Sequence, residues 1–472
     1  MKLTTEIEES IDSDYQLFSE LSQQIWDLAE LSYQEFKSAK ILSKALEKEG
    51  FSVAENVAGL KTGFIGSYGS GKPVIAILGE LDALPGLSQK AGVAAPDPVV
   101  AGGNGHGCGH NLLGVGSLAA AFAVKRYLSR HHMLGTVRYY GCPAEESGSG
   151  KVFMIKAGCF NDVDAAFSWH PGTVNEVMHL SSTASLLADF QFKGKSSHAS
   201  ASPERGRSAL DAMELMHVGC NYLREHIPNC ARVHYAVKDG GGISPNVVQS
   251  YAEERCMVRA ETVEEVKQIF QRVIKIAQGA SLMTETKMSY RIQGGTYNLI
   301  PNTTLHRAMA HYMNELNYPE YTDEDVRLIR SIFQSFDSFE QKSIIASIDS
   351  HQIKQAREVP IACWIDPFSE KEKFMQPSTD AADVSWNVPT GRCKIATWAL
   401  GTPVHSWQAV AQGKTHYAIN AALFAGKALA CTAVQAMIDR DFLTTAQNEW
   451  KERLNGSSYQ SLIPDDVQPP TD

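Results

Sequence analysis

At 472 residues the chain exceeds what one core usually holds and reads as two or three domains. A composition of 43% hydrophobic and 20% charged residues excludes a disordered or fibrous chain. The net charge of −10 argues against a nucleic-acid partner, whose electrostatic footprint is basic.

The segment from Ile7 to Glu49 reads as helices, with Leu17, Leu21, Trp26, Leu28 and Leu31 at helical spacing and Gly50 as a stop. Lys61–Ser67 and the continuous apolar run Val74–Gly79 read as strands, the second buried on both faces. A Gly/Pro-rich loop, Pro85–Gly109, leads to a small-residue helix over Leu112–Leu128, and Thr136–Gly141 is another strand. From about Thr183 the pattern changes. Strands at 185–194, 232–237, 249–259 and 287–293 and helices at 208–226 and 262–279, the second opened by the Thr262/Glu265 capping-box pattern, give the order βαββαβ. Helices resume at Pro301–Leu316, and α/β segments return near 393–399 and 418–437. The expected fold class is α/β, a layered α/β/α body with a mixed sheet, interrupted by an α+β insertion of ferredoxin-like order. The divisions are 1–183, 184–296 and 297–472, with Pro464–Asp472 as a loose tail.

Met1–Ser10 lacks the basic and apolar regions of a secretory signal. The apolar stretches 116–124 and 418–436 read as too short or too rich in small and polar residues for a bilayer span, so no membrane partner is expected. Nine cysteines without paired spacing suit reduced thiols and a cytoplasmic address.

Chemistry concentrates in Gly102-Gly103-Asn104-Gly105-His106-Gly107-Cys108-Gly109-His110-Asn111. Thiolate and imidazole both suit zinc-like divalent ions, and flanking glycines let the backbone close around one. The alternative is a Gly-rich turn with a buried Cys and a satisfied His. Glu145 and Glu146 follow the strand 136–141, and a nearby dication is the usual way for adjacent carboxylates both to stay ionised. His170 ends the apolar segment Phe167–Pro171, and His405 sits on a late turn. Any one of these can be structural. Four in the same architectural position argue for a shared centre.

With Asp82-Ala83-Leu84-Pro85-Gly86, Pro143-Ala144-Glu145-Glu146, Trp169-His170-Pro171 and Gly194-Lys195-Ser196-Ser197-His198-Ala199, the sequence resembles the two-metal aminoacylase/carboxypeptidase metallopeptidases. Within them it is similar to the amidohydrolase branch that uses a Cys ligand. The resemblance implies that Cys108, His110, Glu146, His170 and His405 hold two divalent ions, with Cys108 as the bridge. It leaves Glu145 as general acid/base and makes Asp82 the carboxylate that orients a ligand imidazole. His198, from the inserted domain and often of a partner subunit, would stabilise the oxyanion. Asn246 and Arg259 are candidates for the substrate's carboxylate, against a turn residue and a surface salt bridge as alternatives. Thr379, Asp380 and Asp383 could line the site or cap a helix.

The ions implied are Zn²⁺ or Mn²⁺, with Co²⁺ or Ni²⁺ also compatible with these donors. The implied reaction is cleavage of the amide bond of an N-acyl amino acid by an activated water, with p-aminobenzoyl-glutamate or a similar N-acyl-glutamate as substrate. A dipeptidase acting on β-alanyl or basic dipeptides is the neighbouring reading, and a non-catalytic scaffold or a redox role for Cys108 the readings from other classes. The inserted unit is expected to act as lid and homodimer interface, with a heteromer with a related subunit as a further possibility.

Overall fold

The computed structural model describes residues 1–146 and 149–470; Thr471 and Asp472 of the expected tail lie outside them. In chain order the strands are β1 (Ser52–Glu55), β2 (Phe64–Ser70), β3 (Val74–Glu80), β4 (Gly135–Cys142), β5 (Ala165–Gly172), β6 (Glu176–Val177), β7 (Leu180–Ser182), β8 (Ala184–Lys193), β9 (Arg232–Asp239), β10 (Tyr251–Ala260), β11 (Lys287–Thr296), β12 (Lys373–Met375) and β13 (Thr390–Ala396). The large sheet runs β1-β2-β4-β3-β5-β13-β6. Its centre, β4-β3-β5-β13, is parallel, and antiparallel strands close both edges, so the sheet is mixed. Every residue of β3 is buried, as its unbroken apolar run requires of a strand covered on both faces.

Helix His110–Arg130 covers the sheet, and helix His416–Ile438 packs against it. Their small residues have a purpose: a Cβ on Gly116 would lie 2.6 Å from the Ala422 carbonyl oxygen, and one on Gly426 would lie 2.6 Å from that of Gly116. Only glycine allows the two backbones so near. Helix His416–Ile438 is long and apolar enough by composition to cross a membrane, but it is buried along most of its length inside the protein, where it forms core. In helix Tyr15–Leu28 the buried face is Phe18, Leu21, Ile25 and Trp26, while the expected Leu17 is 40% exposed.

The second sheet, β11-β8-β10-β9, is antiparallel and carries helices Ala209–Leu223 and Val263–Thr284 over a core of its own. The strand order is that of a ferredoxin-like βαββαβ unit. Thr262 and Glu265 form the reciprocal capping box that opens the longer helix. β9 is one of the two edge strands and is largely exposed.

Candidate metal centre and substrate cavity

The parallel strands β3, β4, β5 and β13 end on one side of the sheet, and their last residues or the loops that follow them, including the long loop from β3 to His110, supply every candidate ligand. Past β3, the Asp82 carboxylate and backbone oxygens lie 3.0 and 2.9 Å from His110 Nδ1. The other carboxylate oxygen accepts from Ser32 Oγ at 2.8 Å and from the Glu146 amide at 2.9 Å. Two acceptors at Nδ1 place the proton there and leave the Nε2 lone pair free for an ion. Gly109 caps the helix that begins at His110 with φ +75°, and a Cβ there would meet Pro171 at 3.0 Å. That close approach sets the start of the helix against the end of β5.

After β4 the chain turns sharply. Ala144 is a buried non-glycine residue at φ +56°, held by its amide donating to Glu35 Oε1 at 2.8 Å. Thr62 Oγ1 donates to the other Glu35 oxygen, also at 2.8 Å. A left-handed alanine costs on the order of 1–3 kcal/mol, and the turn it makes directs Glu145 and Glu146 into the site. Glu146 Oε2 lies 3.3 Å from His405 Nε2, and His405, itself at φ +61°, donates its amide to the Gly107 carbonyl at 3.0 Å. His170 Nε2 is 3.4 Å from Cys108 Sγ.

Three groups of donor atoms each fall within 4.8 Å of one another: Cys108, His110 and His170; Cys108, Glu146 and His405; and Glu80, His110 and Glu145. Cys108 and His110 each belong to two of them. Glu80 Oε2, His110 Nε2 and Glu146 Oε1 are buried without a hydrogen-bond partner among the described residues, with His110 Nε2 at 3.2 and 4.0 Å from the two carboxylate oxygens. Buried polar atoms are ordinarily paired, so convergent orphans of N and O type beside a thiol are the cradle a divalent cation fits.

The electrostatics of Cys108 and His170 agree, whereas at His110 burial is outweighed by Cys108 and Asp82, which hold its imidazole well above the usual range so that a cation must displace a proton. Burial pushes the Cys108 thiol up, so it stays protonated until a cation stands beside it. Burial likewise depresses His170 to about 4, leaving a neutral imidazole ready to coordinate. Burial, reinforced by Glu80 and Asp380, raises the Glu145 carboxyl to about 8. Burial acts the same way on Glu80, but Lys151, His110 and His170 outweigh it and hold Glu80 at about 2. Neighbouring carboxylates thus carry unequal protons, the arrangement that acid/base chemistry uses. Replacing the imidazole-orienting carboxylate, Asp82→Asn, is expected to lower metal affinity by roughly 10–100-fold. Titration of the apo protein with Zn²⁺ measures this, and unchanged affinity would remove Asp82 from that role.

Two cavities meet at Glu145, Glu146, Ser378, Thr379 and His405: one of about 610 Å³ on the body side and one of about 750 Å³ towards the four-stranded unit. Arg259 lines the second and donates to Ser378 Oγ. Within one chain the structure does not bring His198 or Asn246 there. Both are exposed and line neither cavity. His198 Nδ1 accepts from the Ala201 amide at 3.1 Å, and the Asn246 carbonyl accepts from Ala199 at 2.9 Å, in one loop cluster. Thr379 lines both cavities, whereas Asp383 is buried elsewhere, accepting from Tyr459 Oη at 2.9 Å and the Tyr297 amide at 3.2 Å.

Sequence reading missed a buried triad. Lys151 Nζ lies 2.7 Å from Glu80 Oε1 and 2.5 Å from Asp380 Oδ1, with all three side chains nearly inaccessible. A carboxylate closing the apolar strand 74–80 was the available signal for Glu80. Nothing local pointed to Lys151.

The chain belongs to peptidase family M20/M25/M40, which matches residues 76–399. It is accordingly a metal-dependent hydrolase of amide or peptide bonds. Over 470 residues, 98% of each chain, it is 43% identical to a p-aminobenzoyl-glutamate hydrolase subunit of Escherichia coli (strain K12). Over 333 residues, 68% of this chain and 73% of the relative, it is 31% identical to Xaa-Arg dipeptidase of Mus musculus. Its fold is shared with a crystal structure of a Bacillus subtilis protein described as a dinuclear metal binding peptidase, at TM-score 0.54 and 19% identity over 89% of this chain and 99% of that one.

Proposed function

We propose that this chain hydrolyses the amide bond of an N-acyl-glutamate, with p-aminobenzoyl-glutamate as the first substrate to test. The observation that carries the reading is the end-to-end likeness to the hydrolase subunit, joined to an intact set of ligand and acid/base side chains. A non-catalytic scaffold would have no need of that set. In this reading Cys108, His110, Glu146, His170 and His405 hold two divalent ions, Zn²⁺ or Mn²⁺, with Co²⁺ and Ni²⁺ also compatible. Such ions supply a polarised carbonyl and a water of lowered pKa.

The chain's own residues do the rest. Glu145 accepts the water's proton and returns it to the leaving amine nitrogen. Arg259 receives a substrate carboxylate, a task its planar fork suits. Asp82 keeps His110 in register. His198 and Asn246 serve a site other than their own chain's, across a homodimer built on the four-stranded unit. Val218, Tyr222 and Val237 support that interface, being 49%, 73% and 55% exposed on helix Ala209–Leu223 and the edge strand β9. The Escherichia coli relative is named as one subunit of its hydrolase, which supports a heteromer as the other assembly. Nine free cysteines support a cytoplasmic address.

The test is purified protein loaded with Mn²⁺ or Zn²⁺ and offered p-aminobenzoyl-glutamate beside Xaa-Arg and β-alanyl dipeptides. Release of glutamate from the first at the highest kcat/KM is expected. Faster cleavage of the dipeptides would replace this reading with a dipeptidase.

A further inference from the structure

The far wall of the body-side cavity carries two cationic side chains: among the described residues Arg392 has no ion pair, and Lys394 has only a long one to Glu176. Arg392 and Lys394 are two apart on β13, so their side chains leave the same face of the strand. Lys394 pairs in register with His170 on β5, and Arg392 with Ser168, one pleat deeper. The face they share is therefore that of the ligand His170. Arg392 is 2% exposed, and its Nε and Nη1 have no hydrogen-bond partner among the described residues. Trp398, fully buried, leaves its Nε1 proton unpartnered among them as well. Lys394 Nζ is 3.9 Å from Glu176 Oε1, too far for a hydrogen bond.

All three side chains line the cavity that also holds Cys108, Glu146 and His405. Apart from Glu145 and Glu146 at the metal end, no carboxylate of the described residues lines it. A desolvated guanidinium without a counter-ion is destabilising, and a fold that keeps one beside a reaction centre keeps it for a charge that arrives with the ligand. Orphan donors with no spare acceptor define that ligand group as an anion, and a planar fork suits a carboxylate.

We propose that Arg392, Lys394 and Trp398 form the pocket for the side-chain carboxylate of the substrate's amino acid, so that the enzyme selects an acidic leaving group. The inference rests on the N-acyl amino acid reading above and adds the residues that choose among such substrates. Arg259, in the adjoining cavity, is left to meet the α-carboxylate, and the two cationic sites flank Glu145 and Glu146 from different elements. Two cationic sites call for a dicarboxylic amino acid.

The experiment compares binding of p-aminobenzoyl-glutamate and its neutral side-chain amide, p-aminobenzoyl-glutamine, by calorimetry. It uses full-length Mn²⁺-loaded protein made inactive by Glu145→Gln, with and without Arg392→Met or Lys394→Met. The parent is expected to favour the carboxylate by roughly 10–100-fold, the range of one charge-assisted hydrogen bond. Arg392→Met should erase most of that preference while leaving affinity for the neutral ligand within about 2-fold. Without ligand, Arg392→Met should unfold at the same temperature as the parent or higher, because it removes an unpaired buried charge. An undiminished preference in Arg392→Met, a loss of thermal stability in it, or a parent that does not discriminate would overturn the proposal. If instead Arg392→Met loses the preference but the wild-type chain does not hydrolyse p-aminobenzoyl-glutamate, the pocket stands and the proposed reaction falls.

Discussion

Glu145→Gln is expected to lower kcat by roughly 10²–10⁴-fold, the usual worth of a positioned general acid/base, while metal content stays at the wild-type level. Glutamine fills the same space and carries no charge. The substitution therefore removes proton transfer without opening a cavity or altering the cluster of Cys108, His110, Glu146, His170 and His405. Glu146→Gln should do the reverse, because its two carboxylate oxygens face His110 at 4.0 Å and His405 at 3.3 Å across the candidate metal positions. It should lose metal first and activity as a consequence. Steady-state kinetics paired with elemental analysis separates the two variants, and the opposite pattern would exchange the roles of these adjacent carboxylates.

Lys151→Met is expected to destabilise the fold by about 3–5 kcal/mol, the cost of removing one partner from a buried ionic cluster. The Lys151 ammonium joins Glu80 to Asp380, and its backbone amide also donates to Asp380 Oδ2 at 2.9 Å. Without it, two buried carboxylates face each other beside Glu145. The sign of the pH dependence follows from linkage. With the cation gone, the folded-state pKa of Glu80 rises above its unfolded value and that of Asp380, already raised by burial, rises further, so the folded variant binds more protons than the unfolded chain. Its stability is fullest below about pH 4 and is lost as pH rises through the raised folded values. The deficit against wild type should therefore narrow between about pH 8 and pH 5. Urea unfolding at both pH values measures it. A variant as stable as wild type at the higher pH would mean that the triad is not a structural charge cluster.

The fold was legible where periodicity and burial coincide. Val74–Gly79 is apolar without interruption because both its faces are covered, and Thr262 with Glu265 announces a helix start that the structure reproduces. The ligand candidates were legible because Glu145, Glu146 and His170 stand at the ends of apolar segments and Cys108 and His110 stand two apart among glycines. Lys151 was not, since its meaning lies in Asp380, 229 residues away, and a lysine at the start of a short amphipathic stretch looks like surface. Arg392 was hidden for a different reason: the α/β segment expected near 393–399 starts after it, whereas β13 spans Thr390–Ala396 and takes the guanidinium inside. A helix face was misread where an apolar side chain stays outside, as at Leu17. The His198 motif is read as site chemistry often supplied by a partner subunit, and its loop lies on a part of the inserted unit that one chain does not fold over its own cavity.

The distribution of ligands along the chain has a consequence for how the molecule holds together. Cys108 precedes the four-stranded unit and His405 follows it, yet both belong to one donor group. An ion held between them, as proposed, would close a loop that encloses the whole insertion. It acts as a reversible crosslink, restricting the unfolded chain much as a long-range covalent tie does, with a strength that grows with the free ion concentration. Chelation then does more than empty a reaction centre. In the proposed metal-bound state it would also untie the first part of the body from the last.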